Sequence, residues 1–246
     1  MRTSNPALQE ARFAGVTVAA GQPAMTLQGT ATRSLLLILL AAFSASFTWH
    51  EVATGNTGIV GPAVLIGGIG GFVVALVTIF KPTVSPWTAP LYAVLEGLLL
   101  GGISAIYDAR FQGLPMQAVG LTFGVFLALL VLYRTRVLQA TDRFRTGVVA
   151  ATAGIAVLYL LSFVLRFFGV TMPFLHDSSM LSIGISLVIV GVAALNLILD
   201  FDLVERGVAL RAPKYMEWYA AFGLLVTLIW LYLEILRLLA KLQSRD

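Results

Sequence analysis

Four carboxylates stand in surroundings too apolar to solvate them. Glu96 lies in Leu95-Glu96-Gly97, Asp200 and Asp202 in Leu199-Asp200-Phe201-Asp202, and Glu234 in Leu231-Tyr232-Leu233-Glu234-Ile235-Leu236. An ionised group within hydrocarbon is costly, so it turns towards a helix-bundle interior or water and marks an ion or proton path. Two carboxylates that meet in a low dielectric cannot both ionise cheaply, and they titrate as a coupled unit. Carboxylates are also hard oxygen ligands suited to calcium. The chemistry open to these residues is therefore proton sensing and the passage of a cation.

Each of the four also has a purely structural reading. Asp200 and Asp202, two apart on a helix, point to nearly opposite sides, so only one easily faces a bundle centre. Asn196, one turn before Asp200, shares its face and extends it into a polar stripe. The alternative is that both aspartates are hydrated at the water boundary. Glu234 either lines a path or forms an ion pair with Arg237, one turn on, whose head reaches for the interface. Glu96 either serves the path or bonds a hydroxyl of a neighbouring helix.

The elements that must position these residues follow from composition. Of 246 residues, 59% are hydrophobic and 11% charged, where a soluble domain averages about a quarter charged. Lipid must therefore solvate much of the surface. Seven apolar runs are present, at Ser34–Trp49, Ile59–Phe80, Trp87–Tyr107, Met116–Tyr133, Phe144–Phe168, Met180–Phe201 and Trp218–Leu239. Each matches the length needed to cross a core roughly 30 Å thick. Lipid cannot satisfy free backbone groups, so each run is expected to be a helix. The expected architecture is all-α: a polar N-terminal tail over residues 1–33, then a seven-helix transmembrane domain over 34–246.

The net charge of +4 reflects dispersed basic residues between spans rather than a nucleic-acid surface. Arg2, Arg12, Arg33, Lys81, Arg134, Arg136, Arg143, Arg145, Arg206, Arg211 and Lys214 fall on one side of a seven-span topology. Arg110, Arg166, Arg237, Lys241 and Arg245 fall on the other. This bias places the N-terminus in the cytoplasm. A re-entrant span would instead leave both termini there. The start of the chain, with Arg2, Glu10 and Arg12, does not read as a signal peptide. There is no cysteine, hence no disulfide or thiolate metal site.

The run Gly67-Gly68-Ile69-Gly70-Gly71 contains a GxxxG, read as close helix packing; it follows no strand, which argues against a nucleotide loop. His50 and His176 sit at span edges, and no HExxH or nucleophile elbow is present, so no enzyme and no cofactor is expected.

Several longer segments resemble one bacterial branch of the Bax inhibitor/YccA family, the transmembrane Bax inhibitor motif proteins. They are Met1-Arg2-Thr3-Ser4-Asn5-Pro6, residues Ala89 to Gly97, Leu195 to Asp202, and Ala212 to Phe222 running on to Leu231-Tyr232-Leu233-Glu234. The resemblance implies a seven-helix bundle with the last helix in the middle. It also implies a pH-sensitive calcium leak of the bacterial inner membrane, with lipid, calcium and protons as its partners. By motif, the family's acid pair falls on Asp202, after Phe201, and on Glu234, where better-known members carry Asp. The same two acids would ligate calcium in transit, with Asp200 and Glu96 as secondary groups on the path. The family's basic residue in helix two has no counterpart before Lys81, leaving Arg237 or Arg166 as the basic partner. Relatives of a second kind modulate a membrane-anchored protease or suppress cell death, which makes an interaction protein the alternative. A proton-coupled transporter using Glu96 and Glu234 is a third reading.

Overall fold

In the computed structural model, residue 18 and residues 22–169 and 177–245 are described. The expected motif at residues 1–6 and His176 lie outside them. Among the described residues there are seven α-helices: α1 Leu27–Ala53, α2 Thr57–Phe80, α3 Ser85–Arg110, α4 Leu114–Arg134, α5 Asp142–Phe167, α6 Met180–Ala209 and α7 Met216–Gln243. A 3-10 turn, Pro82–Val84, joins α2 to α3. All seven are long and apolar enough to cross a membrane. Trp87 and Phe43 are 83% and 80% exposed, and dozens of large apolar side chains join them on the outside. Such a surface is tolerable only against lipid tails. The chain is an integral membrane protein of the all-α class.

Helix ends overrun the apolar runs because local polar groups finish the last turns. α1 starts at Leu27, seven residues before its apolar run, since Thr26 caps it by accepting from Gly29 N at 2.9 Å. Thr141 caps α5 in the same way, from Phe144 N at 3.3 Å. α6 runs on past Phe201 to Ala209. Pro90 lies inside α3. Gly113 takes a left-handed φ of 79° between α3 and α4, and the Asp108 carboxylate accepts from its N–H at 2.8 Å.

The chain divides into two compact units. One comprises residues 1–106 and 202–225, the other 107–201 and 226–246, and the divisions fall within α3, α6 and α7. The first unit is organised by small residues. A Cβ on Gly97 would meet the Ala41 carbonyl, and one on Gly101 the Ala45 carbonyl, so α3 approaches the backbone of α1 directly. Gly67 of α2 leaves no room for a side chain against the Leu95 carbonyl and the Leu99 N of α3. The expected packing role of the glycine stripe is what the structure shows. Ser44 Oγ donates to Val94 O at 2.7 Å across the α1–α3 contact, and Thr78 Oγ1 bonds Thr88 Oγ1 at 2.8 Å between α2 and α3. Tyr92 of α3 packs edge-on to Phe222 of α7 at 4.9 Å between centroids.

In the second unit α4 and α6 meet through aromatic rings. Phe201 contacts Phe126 and Tyr133, with centroids 5.6 and 5.7 Å apart. Polar contacts add to these, several of them made by α7.

Glycine positions separate packing from mere tolerance. Gly101→Val forces a branched side chain into the Ala45 backbone and is predicted to destabilise by at least the 1–3 kcal/mol or so typical of overpacking. Gly154→Ala, which meets nothing within 4 Å, is predicted to leave stability unchanged or slightly raised. Thermal unfolding in detergent checks both; equal melting temperatures would contradict the α1–α3 contact.

Candidate functional site

In the second unit, Thr227, Glu234 and Lys241 recur at seven-residue spacing, so they lie along one face of α7. Glu234, in the middle, is only 2% exposed. Its Oε1 accepts from the Tyr159 hydroxyl of α5 at 2.8 Å. Arg237 Nη1 reaches both of its oxygens at 3.1 Å and donates to the Tyr159 oxygen at 2.6 Å. The guanidinium also stands 5.2 Å from the centre of the Tyr159 ring. The phenol thus accepts from the cation and donates to the anion, closing a three-membered cycle. Removing any one member leaves a buried polar group short of a partner, which is far dearer here than at a wet surface. Arg237 is accordingly the basic partner of Glu234. Arg166, the other candidate, is exposed in the last turn of α5 and enters no ion pair among the described residues.

One helical repeat towards the start of α7, the Thr227 side chain stands beside the Asp200 carboxylate of α6. Asp200 Oδ2 is shielded and has no hydrogen-bond partner. One turn earlier on α6, Asn196 Nδ2 donates to Thr152 Oγ1 of α5 and to Val192 O, both at 2.8 Å. Of the two polar groups expected to share this face, Asn196 is bonded to Thr152 of α5, and Asp200 follows it one turn on.

The first unit holds the other two acids. Asp202 pairs with Arg206, four residues on along α6. Glu96 is half-buried, and no hydroxyl among the described residues bonds it; its Oε2 lies against Gly71, where an added Cβ would stand 2.7 Å away. Among the described residues no three acidic or histidine side chains gather as a metal-binding group.

The strongest charged centre of the first unit was not singled out by sequence reasoning. Glu217, in the first turn of α7, is completely buried. Its Oε1 accepts from Thr26 N at 2.9 Å, Thr26 Oγ1 at 2.9 Å and Lys214 Nζ at 2.8 Å. Arg33 Nη1 approaches Oε2 at 2.6 Å as an ion pair that lacks hydrogen-bond geometry. The Arg33 guanidinium also lies 5.4 Å over the Trp218 ring. The helix N-terminus adds favourable potential for a carboxylate. Beside this centre Met25 N donates to Ala212 O at 2.7 Å, and Met25, Ala212, Met216 and Ala220 form a small apolar cluster.

Outside the membrane-spanning segments, Asp177 precedes α6 and accepts from Ser179 Oγ at 2.8 Å and Ser179 N at 3.4 Å. These bonds, the hydroxyl's first, hold its carboxyl below the ordinary aspartate range. A depressed pKa contributes stability above the unfolded value, lost as pH falls through the folded one.

The family described as Bax inhibitor 1 like has a model that matches residues 5–244, nearly the whole chain. No curated protein and no solved structure matches it.

Replacing Glu217 by Ala strands two cations, one of them mostly buried. The predicted loss is about 2–4 kcal/mol, below the full cost for a fully buried pair because Lys214 is half exposed. Arg166→Ala, on an exposed surface, is predicted to change stability by no more than about 0.5 kcal/mol. Thermal melting of both variants decides it, and a Glu217 variant as stable as the Arg166 one would refute the assignment.

Proposed function

Since the chain belongs to the Bax inhibitor 1 like family, we propose that it is a proton-sensitive leak for cations, calcium preferred, in a bacterial inner membrane with its N-terminus cytoplasmic. The observation that carries this reading is Glu234, a carboxylate almost fully enclosed in an apolar helix yet held by groups that can let go. A proton on Glu234 cancels the charge that fixes Arg237 and competes with the Tyr159 hydroxyl for the same oxygen. The cycle then has two discrete arrangements, which is what a switch requires.

Asp202 is built alike: an acid and an arginine on one helix, four residues apart. In this reading Asp202 and Glu234 carry the proton sensitivity, each through its own arginine, and lend oxygens to calcium in transit. Asp200, with its unpartnered oxygen, and Glu96 are secondary groups on the path. Calcium is here the substrate, and no resident cofactor is required.

The test is calcium entry into dye-loaded liposomes holding the purified protein, at about pH 6 and about pH 8. Wild type is predicted to show flux that differs between the two. Glu234→Gln, which keeps the shape and removes the charge, is predicted to bring the two rates together, and Asp202→Asn to narrow the difference. Absence of flux above empty liposomes, with folded protein, would shift the reading to an interaction protein acting on a membrane-anchored protease or a stress response.

A further inference from the structure

Lys241 takes no part in the switch described above, yet it is the other charged group enclosed on the same face of α7. It is 6% exposed, one helical repeat beyond Glu234. Its Nζ donates to Ser182 Oγ and Ser186 Oγ, each at 2.7 Å, and to the Ser182 carbonyl at 3.4 Å. All three oxygens come from the first two turns of α6. Among the described residues no carboxylate lies within ion-pair distance of this ammonium, whose whole shell is neutral oxygen.

A buried lysine ordinarily finds an acid, because an unpaired buried charge is expensive. Hydroxyl and carbonyl oxygens in a small cluster are instead what replaces the hydration shell of a monovalent cation in a selective path. Three neutral oxygens fall short of the six to eight or so ligands, carboxylates among them, that calcium prefers. The charges nearby point the same way. Glu234 is already matched by Arg237, so Lys241 leaves this stretch of α7 with one positive charge in excess. The exposed Asp177 attracts Lys241 without touching it.

We infer that the Lys241 ammonium is a tethered cation, seated in a three-oxygen site of Ser182 and Ser186 that a mobile monovalent cation takes when the lysine is absent, and that it stops cation passage at this end of the unit. The stopping role rests on the leak reading; the site itself does not. A fixed positive charge in a narrow path is an electrostatic barrier to cations.

Full-length wild type, Lys241→Met, Lys241→Arg and the triple variant K241M/S182A/S186A are melted in detergent. Each is measured in potassium or rubidium chloride and in N-methylglucamine chloride at equal ionic strength. Lys241→Met is expected to gain several degrees on adding potassium or rubidium, saturably. Wild type, Lys241→Arg and the triple variant are expected to show no such gain. In liposomes, Lys241→Met is expected to take up radioactive rubidium several-fold faster than wild type.

A folded Lys241→Met indifferent to potassium overturns the site, whatever its flux. A stabilised Lys241→Met that carries no rubidium supports the site and defeats the leak reading instead. Should Lys241→Met fail to fold, S182A/S186A takes its place, keeping the charge but removing its hydroxyls. Faster rubidium uptake by that variant supports the inference, and uptake equal to wild type overturns it.

Discussion

Hydrocarbon offers a polar atom nothing to bond, and the arrangement of this protein follows from that single deficit. Several charged side chains inside the membrane bring a partner with them, from their own helix or the next one. Glu234 does both, drawing Arg237 from its own turn and Tyr159 from α5. Asp202 draws Arg206 along α6, and Lys241 draws two serines from the start of the same helix. The helices of the second unit are tied laterally by the contacts of Glu234 and Lys241, as well as by Phe201 against Phe126 and Tyr133. In lipid, where apolar surface does not drive helices together, such contacts and close backbone packing are the available cohesive forces.

The two units use these forces in different proportions. In the first, α1, α2 and α3 approach through glycine, with Gly97, Gly101 and Gly67 each against a neighbouring backbone. Contacts of that kind are insensitive to protonation. In the second, the glycines Gly120, Gly124, Gly147, Gly154, Gly184 and Gly191 meet nothing beyond their own helices, and the ties are hydroxyls, an amide and ion pairs. Contacts of this kind respond to a change of charge. The first unit joins α1, α2 and α3 through close backbone approach, whereas the second ties its helices through side-chain hydrogen bonds as well as aromatic contacts.

What could be read from the sequence divides along physical lines. The seven helices were legible because a span must be apolar for a fixed length, and length and hydropathy are properties of a contiguous stretch. Their ends were not, since Thr26 and Arg206 extend helix into polar residues that look like loop. Within the sites, partners on one helix were readable from spacing. Arg237 stands three residues from Glu234, and the four-residue step from Asp202 to Arg206 carries the same signal. Tyr159 could not be found, because 75 residues separate it from Glu234 and nothing local marks it. Glu217 was overlooked for another reason: beside Lys214 it reads as an ordinary charge at a helix start. Its burial depends on Thr26 and Arg33 at the far end of the chain.

That last dependence bears on how the protein is made. Thr26 and Glu217 are 191 residues apart in sequence yet share a hydrogen bond, with Arg33 closing over the same carboxylate. During synthesis α1 enters the bilayer long before Glu217 leaves the ribosome. Throughout that interval Arg33 lacks the acid it finally pairs with, and a long cationic side chain in that position reaches for the interface. α1 is therefore inserted early and seated late, when α7 completes its surroundings.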